Sequence, residues 1–483
     1  MIRRFFKDSA IYSISNFIQK GMAIFLVPIF TRIFSPSDYG IIDIVSIITT
    51  LVLLTITLQV TQAIARFYPD TPDPDEKKKM ASTTLWFTLV IFTAFLLVAG
   101  AFTGPLSGWV FGAPGHEYAF VVALISIFTA GLFNFLQNQL RWQLLSKQFS
   151  IVAIVTTTLT ILLKILFIVV LRLGIVGVFY ALIGGNVVGG VMSYCYARHN
   201  YRFIFDMRTL KTLLNYSMPL VISGVGVYLA VYFDRIAIKE MLSLHEVGLY
   251  GIGFRVASAA TLFTAGITGA LTPLIFTHYR EPDTPARIAR LFRYFVAGAL
   301  VVLLGLSIYA REIVILFTTK AYYAGYVVVP FLVLSDLLYV MYIFAPGLNI
   351  AKKTRQMTMV NVFSALLNLG LNLLLIYVMG IMGAALATAI SAGVHFVLFV
   401  LLGNRHYHIP YEWKRTAVAP LVAAPFAIVG VFIPATAIWV FLVKAGLIIA
   451  GSLAVALLLL NRGEVKQGWD FLKGWAARRK LAA

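Results

Sequence analysis

The sequence predicts an all-α integral membrane protein that crosses the bilayer about fourteen times. Its 483 residues are 60% hydrophobic and only 12% charged, whereas soluble globular domains carry about 25% charged residues. The segments 80–115 and 356–404 contain no Asp, Glu, Lys or Arg. A membrane helix needs about 20 mostly apolar residues to cross about 30 Å of hydrocarbon. Each of these segments is therefore long enough for one or two spans.

Hydropathy and the positions of short polar loops place the individual spans. The predicted ranges are 9–33, 41–66, 81–103, 118–139, 150–171, 175–197, 213–237, 247–277, 291–310, 327–349, 358–378, 381–402, 416–433 and 438–460. The loops between these spans are short, so we expect no soluble domain.

The distribution of basic residues predicts the orientation of the spans. With the N-terminus inside, most of the 39 Lys and Arg residues fall in cytoplasmic segments, and about four fall outside, namely Arg172, Lys239, Arg311 and Lys320. This bias follows the positive-inside rule and predicts a cytoplasmic (inner) membrane protein with both termini in the cytoplasm. Anionic membrane lipids then account for the net charge of +20, and no nucleic-acid partner is expected.

The two halves of the sequence repeat each other. Ser9 to Gly40 and Ser217 to Gly248 have equal lengths and end in Asp-Tyr-Gly and Glu-Val-Gly, at an offset of 208 residues. The segments 173–177 (LGIVG) and 379–383 (MGIMG) match at an offset of 206. An even number of spans separates the matched elements, which gives a parallel repeat, as in many secondary transporters. We predict a six-helix lobe over 1–208, a second six-helix lobe over 209–410, and an appended helix pair with a basic tail over 411–483.

Polar residues recur at helical spacing inside several predicted spans. Asn16 and Lys20, for example, share one face of the first predicted span. Ser, Thr and Asn also join membrane helices through hydrogen bonds, so polar stripes alone leave a packing role open. A Lys or Arg at the bilayer centre costs about 3 kcal/mol and needs water, a partner or a ligand. Lys20, Lys164 and Arg255 lie well inside their spans and favour a wet, cationic cavity.

Two groups of candidate site residues follow. The substrate-binding candidates are Lys20, Lys164, Arg255, Arg66, Arg141, Asn16 and Asn138. The candidates for a gate or for structural ion pairs are Arg32, Asp43, Asp234 and Arg235. Arg66 and Arg141 lie near cytoplasmic ends, where extension to lipid headgroups is an equal alternative. No metal or resident cofactor is predicted, and coupling to a proton or sodium gradient stays open.

Residues 28–40 read PIFTRIFSPSDYG and resemble the signature P-x-x-T-R-x-x-x-P-x-D/E-Y-G of polysaccharide flippases. These are the O-antigen and exopolysaccharide translocases of the multidrug/oligosaccharidyl-lipid/polysaccharide exporter superfamily. Supporting similarities in the second half are Asp234-Arg235 followed by VGLY at 247–250, and Asn368, Asn372 and GIMGAALAT at 380–388. The resemblance covers essentially the whole chain.

The resemblance implies two lobes that alternate access around a central cavity, without ATP hydrolysis. The implied cargo is an oligosaccharide linked to a lipid of the undecaprenyl-diphosphate type. The implied partners are a polysaccharide polymerase and a chain-length regulator. A cationic cavity suits this cargo because Arg and Lys pair with phosphate or with acidic sugars.

Other functions remain open on the sequence. A peptidoglycan-precursor flippase would share the cargo chemistry, whereas a multidrug exporter for cations would favour acidic cavity residues. An enzyme such as a membrane glycosyltransferase or an O-antigen ligase needs catalytic groups in a sizeable outer loop. The predicted outer loops at 104–117 and 311–326 carry only scattered ionisable residues, and the chain has no Walker A motif. We therefore expect a transporter and not an enzyme.

Overall fold

The computed structural model describes residues 26–433, 438–461 and 463–464. Every regular element within these residues is helical, which confirms the predicted all-α class. After a turn at Val27–Phe30, the first half contains α1 (Pro36–Thr55), α2 (Val60–Asp70), α3 (Pro74–Ala101), α4 (Thr103–Phe111), α5 (Glu117–Trp142), α6 (Ser146–Lys164) with a π-helix at Ile165–Val170, and α7 (Gly174–Ala197).

The second half begins with the long helix α8 (Met207–Met241). It continues with α9 (Leu244–Ala257), α10 (Ala260–His278), α11 (Thr284–Ile308), α12 (Ala310–Phe317), a 3-10 helix at Lys320–Val328, α13 (Val329–Val340), short helical turns at Met341–Phe344 and Gly347–Ile350, α14 (Thr354–Met379), α15 (Ile381–Gly403), α16 (Trp413–Phe432) and α17 (Ile438–Leu459).

Eleven of the described helical segments are long and apolar enough to cross a membrane. Two further candidates are bent: α8 turns by 52° between Met207–Gly226 and Val231–Met241, and α9 and α10 meet at 49°. Counting each bent pair as one span gives up to 13 candidates in the described part of the chain. The predicted first span lies mostly outside the described residues. The predicted multi-pass helical architecture is confirmed.

The structure corrects the predicted path of the chain at three places. The predicted span 41–66 is interrupted between α1 and α2, where Leu58 and Gln59 adopt left-handed φ angles of 48° and 54°. The predicted outer loops at 104–117 and 311–326 contain α4 and α12, respectively. These loops are largely apolar, and local helix formation satisfies their backbone groups where water is scarce.

The chain forms two compact units. The first comprises Met1–Gly248 with Phe317–Ala321, and the second comprises Leu249–Leu316 with Tyr322–Ala483. Helix α8, which the repeat assigns to the second lobe, packs on α1, α2 and α3 in the first unit. The units therefore divide the chain differently from the sequence repeat, and the lobes over 1–208 and 209–410 stay a prediction.

The backbone repeats itself at the same offsets as the sequence. Leu144 and Lys352, 208 residues apart, have φ angles of 57° and 55°. The amide of each donates to the carbonyl oxygen three residues earlier, at 3.0 and 3.1 Å. Gly174 and Gly380, 206 residues apart, have φ angles of 60° and 61°. These matched turns support the internal repeat through features that hydropathy does not detect.

The acidic residue of the signature begins a helix. Asp38 Oδ2 accepts from the Ser35 amide at 2.8 Å, and Ser35 Oγ accepts from the Asp38 amide at 3.2 Å, which forms a capping box for α1. At an offset of 208, Ser243 Oγ accepts from the Glu246 amide at 3.2 Å and caps α9. Asp38 and Glu246 thus have the same position at the starts of matched helices.

The final glycine of the signature permits a close backbone contact between the first turns of α1 and α9. A Cβ atom on Gly40 would lie 2.0 Å from the carbonyl oxygen of Leu244, and one on Gly248 would lie 1.9 Å from that of Pro36. Each of these carbonyl groups lies four residues before the other glycine, so the contact is reciprocal. Both halves of the contact lie in the first unit. No larger residue fits at either position without displacement of the backbone.

Helix α8 begins with a charged cap outside the apolar segment. Asp206 accepts hydrogen bonds from the hydroxyl and the amide of Thr209 at 2.5 and 3.0 Å, and Lys79 Nζ lies 3.3 Å away. The two hydrogen bonds from Thr209 are the main reason that the pKa of Asp206 is lowered to about 2, and Lys79 lowers it further. The carboxylate therefore stays ionised at neutral pH and stabilises the positive end of α8.

Buried ion pairs attach the appended helices to the second unit. Lys444 of α17 is fully buried, and its Nζ lies 2.5 Å from Glu312 Oε1 of α12. Near the opposite end of α11, Arg293 donates to Glu412 at 2.6 Å and to Glu464 at 2.8 Å. Glu312 belongs to a predicted outer loop, but in the structure it lies in a helix and faces a buried cation. The first contact joins α17 to α12, and the second joins α11 to the residues just before α16 and just after α17.

We predict that Gly40→Ala and Gly248→Ala each destabilise the protein by about 1–3 kcal/mol or more, the usual cost of overpacking. Gly370→Ala in α14 is the matched control, because its Cβ would meet open space. That change should be neutral or stabilising, since Ala favours a helix over Gly. Thermal unfolding in detergent, followed by size-exclusion fluorescence, gives the comparison. Equal transition temperatures for all three variants would contradict the backbone contact.

We also predict that Lys444→Met destabilises the protein by about 3–5 kcal/mol, because Glu312 would keep a buried charge without its cation. Adding Glu312→Leu should restore most of the loss by removing that charge. The two single variants and the double variant form a double-mutant cycle, measured by the same thermal assay. Strictly additive losses would show that the two side chains do not stabilise each other.

Candidate functional site

Lys164 lies at an irregular point of its helix. It is the last residue of α6 and is half-buried, and the chain continues from it into the π-helix Ile165–Val170. Such π-turns inside α-helices occur frequently at functional sites. Thr160, one turn earlier in α6, packs against α7 instead. Gly185 of α7 leaves room for its side chain, because a Cβ atom on Gly185 would lie 1.9 Å from Thr160 Oγ1. The polar stripe of this helix therefore includes both packing residues and a cation.

Arg255 lies next to a helix break. It occupies the last turn of α9, and α10 begins five residues later, after the 49° bend. Its carbonyl oxygen accepts from Ser258 Oγ at 2.7 Å, which satisfies a main-chain group released by the break. The side chain is half-buried. The amides of Thr261 and Leu262 in the first turn of α10 donate to the carbonyl oxygens of Ser258 and Ala259 at 3.0 and 3.1 Å, so the guanidinium is the group at this break that favours an anion.

The other described candidates have local contacts. Arg66 is exposed and forms an ion pair with Asp70, one turn later in α2. Arg141 is exposed at the end of α5, and its guanidinium carbon lies 4.7 Å from the centre of the Phe149 ring of α6. Asn138 Nδ2 donates to the main-chain oxygen one turn earlier at 2.9 Å. These contacts stabilise α2, α5 and α6, and substrate roles for these three residues stay predictions.

The gate candidates differ from each other. Arg32 is exposed and donates to the carbonyl oxygen of Pro28 at 2.7 Å, rather than to Asp43. Asp234 and Arg235 are 5% and 4% exposed, and their side chains form an ion pair at 3.1 Å within α8. A structural ion pair of Arg32 with Asp43, which their similar predicted depth in the membrane allowed, is not formed, because the helical turn at Val27–Phe30 offers Arg32 a carbonyl oxygen. Lys20 and Asn16 lie outside the described residues.

A polar cluster in the second unit contains a residue that was not among the sequence candidates. His395 of α15 is 4% exposed, and its Nε2 lies 3.1 Å from Asn361 Oδ1 of α14. Further along α14, Asn372 Nδ2 donates to Asn368 Oδ1 at 3.0 Å, and Asn368 Nδ2 donates to Thr388 Oγ1 of α15 at 3.4 Å. His395 is the single histidine of the charge-free segment 356–404, and that isolation is the signal by which the sequence could have indicated it.

Comparison with known sequences gives the family. Residues 5–278 match the family described as "Polysaccharide biosynthesis protein". Agl15 of Haloferax volcanii, a probable low-salt glycan biosynthesis flippase, is 25% identical over 44% of this chain and 45% of its own length, so the match spans less than half of that relative. An uncharacterised membrane protein of Methanocaldococcus jannaschii is 22% identical over 82% of this chain and 96% of its own length.

Comparison with solved structures gives the fold. The lipid II flippase MurJ, in an inward closed conformation, has a TM-score of 0.70 and 14% identity over 92% of this chain and 97% of its own. An inward-facing multidrug resistance transporter of the MATE family, of the MOP superfamily, has a TM-score of 0.67 and 16% identity over 80% of this chain and 94% of its own. The chain therefore belongs to the polysaccharide biosynthesis protein family and has a multi-pass helical fold like those of MurJ and the MATE transporters.

Proposed function

We propose that this protein is a flippase, and not an enzyme, that carries a lipid-linked oligosaccharide from the cytoplasmic to the outer leaflet of the cytoplasmic membrane. The observation that carries the proposal is the position of Lys164 and Arg255. Each is a half-buried cation at a backbone irregularity in a chain of the polysaccharide biosynthesis family: Lys164 lies where the continuous span Ser146–Val170 changes from α-helix to π-helix, and Arg255 lies beside the 49° bend. The match to a probable glycan biosynthesis flippase supports the same class of cargo.

The energetics of the cargo explain why such cations are useful. A diphosphate and its sugars lose many hydrogen bonds to water when they enter hydrocarbon, and each unsatisfied polar group costs several kcal/mol. Arg and Lys side chains replace part of that hydration with charge-assisted hydrogen bonds. Many secondary transporters bind their substrates where membrane helices are discontinuous, and the bend beside Arg255 is such a place. The lipid chain meanwhile remains in the bilayer.

The alternatives within the superfamily differ in the charge of the cargo. Lys164 and Arg255 would repel the cationic compounds that a multidrug exporter carries. A peptidoglycan-precursor flippase carries a diphosphate as well, and the similarity to MurJ makes it the second candidate. The match to the polysaccharide biosynthesis family favours a glycan repeat unit over that precursor. Transport by alternating access, with Asp43, Asp234 or Asp336 as an ion-coupling group and a polymerase receiving the product, completes the proposal.

Deletion of the gene in its native host should trap lipid-linked repeat units at the cytoplasmic face, and the wild-type gene should release them. Lys164→Ala and Arg255→Ala should each lower the rate of glycan export about tenfold or more, because one charge-assisted hydrogen bond contributes about 1.5–3 kcal/mol. Lys147→Ala is the matched control, since Lys147 is exposed at the start of the same helix as Lys164. Mass spectrometry of extracted lipids and glycan blots measure both quantities.

Two results would contradict different parts of this proposal. Normal surface glycan without a trapped intermediate, in a host that lacks a second flippase gene, would contradict the assigned cargo. Full rescue by well-expressed Lys164→Ala and Arg255→Ala would leave the cargo in place but would contradict a binding role for the two cations.

A further inference from the structure

Three aromatic side chains in the second unit, those of Tyr339, Tyr342 and Phe399, pack around His395. Its imidazole stacks on the ring of Tyr339 with centroids 5.0 Å apart and an angle of 17° between the planes. Tyr342 meets it edge-on at 5.9 Å, and Phe399 lies at 4.7 Å. The four rings come from α13, the helical turn after α13, and α15, which pack against each other. His395 is thus enclosed, while one of the rings around it reaches the surface.

Tyr339 is the exposed member of this group. It is 51% exposed although the imidazole covers one face of its ring. Asn361 of α14, which contacts the same imidazole, is exposed as well. The exposed aromatic ring therefore belongs to a group that includes an exposed amide, unlike an isolated exposed apolar side chain.

Hydrogen bonding fixes the geometry behind Tyr339. Asn361 Oδ1 is only an acceptor, so the 3.1 Å contact gives His395 Nε2 the hydrogen. His395 Nδ1 is buried and has no hydrogen-bond partner within the described residues. Asn361 is exposed, and the contact with His395 uses only its oxygen, which leaves its NH₂ group for another acceptor. The imidazole therefore holds both the Tyr339 ring and the Asn361 amide in place.

We propose that Tyr339 and Asn361 form a subsite for one sugar ring of the cargo, with His395 as the residue that positions them; this inference rests on the proposed function. A pyranose has a face of C–H groups that stacks on an aromatic ring and a rim of hydroxyl or acetamido oxygens that accept hydrogen bonds. A fixed aromatic face with one adjacent amide matches that chemistry, and binding sites generally combine aromatic walls with a few placed polar groups. The cations at Lys164 and Arg255 bind phosphate, whereas this subsite binds the glycan.

A core-packing role for the same side chains makes a different prediction. Packing alone would bury the Tyr339 ring, and the polar pair of His395 and Asn361 would then cost more than an apolar pair of the same shape. The ring is instead half-exposed beside a polar pair. Tyr339→Phe keeps the stacking face, Tyr339→Ala removes it, and Tyr377→Ala on α14 is a matched control because Tyr377 is 85% exposed.

The test uses the full-length protein in nanodiscs and two probes. The first probe is the repeat-unit oligosaccharide cleaved from the surface glycan of the native host, and the second is inorganic pyrophosphate. Saturation-transfer NMR and titration should show that Tyr339→Ala weakens oligosaccharide binding about tenfold and leaves pyrophosphate binding unchanged. Tyr339→Phe and Tyr377→Ala should bind both probes like the wild type. His395→Leu should weaken oligosaccharide binding. The saturation should also spread over more of the sugar protons, since the Tyr339 ring would lose its fixed orientation.

Several outcomes would overturn the subsite. Unchanged oligosaccharide binding by Tyr339→Ala, an equal loss in Tyr377→Ala, or an undetectable signal from the oligosaccharide with the wild type would each do so. If deletion of the gene stops export and the wild-type gene restores it, any of these results contradicts the subsite alone. If deletion leaves export unchanged, the proposed function itself fails.

Discussion

The reciprocal contact between Gly40 and Leu244, and between Gly248 and Pro36, is the constraint on which the matched helix starts depend. Two carbonyl oxygens occupy the space that side chains would fill, at 2.0 and 1.9 Å from the hypothetical Cβ positions. The capping groups at Ser35 and Ser243 begin α1 and the matched helix at the register that this contact requires. The signature motif is thus explained by backbone packing and helix capping, and its Asp and Gly do not have to bind cargo.

Irregular backbone occurs at three places in the apolar helices, and a cation lies beside two of them. Lys164 precedes a π-helix, Arg255 precedes a bend of 49°, and left-handed residues at Leu58 and Gln59 separate α1 from α2. Each left-handed non-glycine residue costs about 1–3 kcal/mol and persists where the surrounding structure demands it. In a membrane, an interrupted helix also releases main-chain groups that need new partners. Function is a sufficient reason to retain such interruptions, since they place polar groups beside the cations.

The sequence was sufficient for the fold class because apolar segments longer than 20 residues have few alternatives to membrane helices. The repeat was also readable, because LGIVG and MGIMG contain glycines with matching φ angles of 60° and 61°, and the Asp-Tyr-Gly and Glu-Val-Gly motifs lie in the first turns of helices with matching caps at Ser35 and Ser243. Hydropathy could not predict the break at Leu58, since its polar neighbours Thr57 and Gln59 are uncharged. It also could not predict α12, whose charges suggested a loop.

Single side chains were less predictable than helices because their partners are distant in sequence. Arg32 and Asp43 are only 11 residues apart, but Arg32 contacts Pro28. Glu312 and Lys444 are 132 residues apart and form a buried pair. His395 acquires its surroundings only when α13, α14 and α15 pack together. A polar residue in a membrane span therefore indicates that a partner exists, and tertiary structure decides which residue that partner is.

Transbilayer movement of the cargo itself is the most direct test of the central claim. Purified protein would be reconstituted into liposomes with a lipid-linked oligosaccharide that carries a fluorescent sugar label, and a membrane-impermeant quencher would be added outside. The label in the inner leaflet should become accessible to the quencher in liposomes with wild-type protein, without ATP. The change should be much slower with the combined Lys164→Ala and Arg255→Ala variant. If the inner-leaflet label stays protected in wild-type liposomes under an imposed proton gradient and under an imposed sodium gradient, the result would contradict the assignment as a flippase.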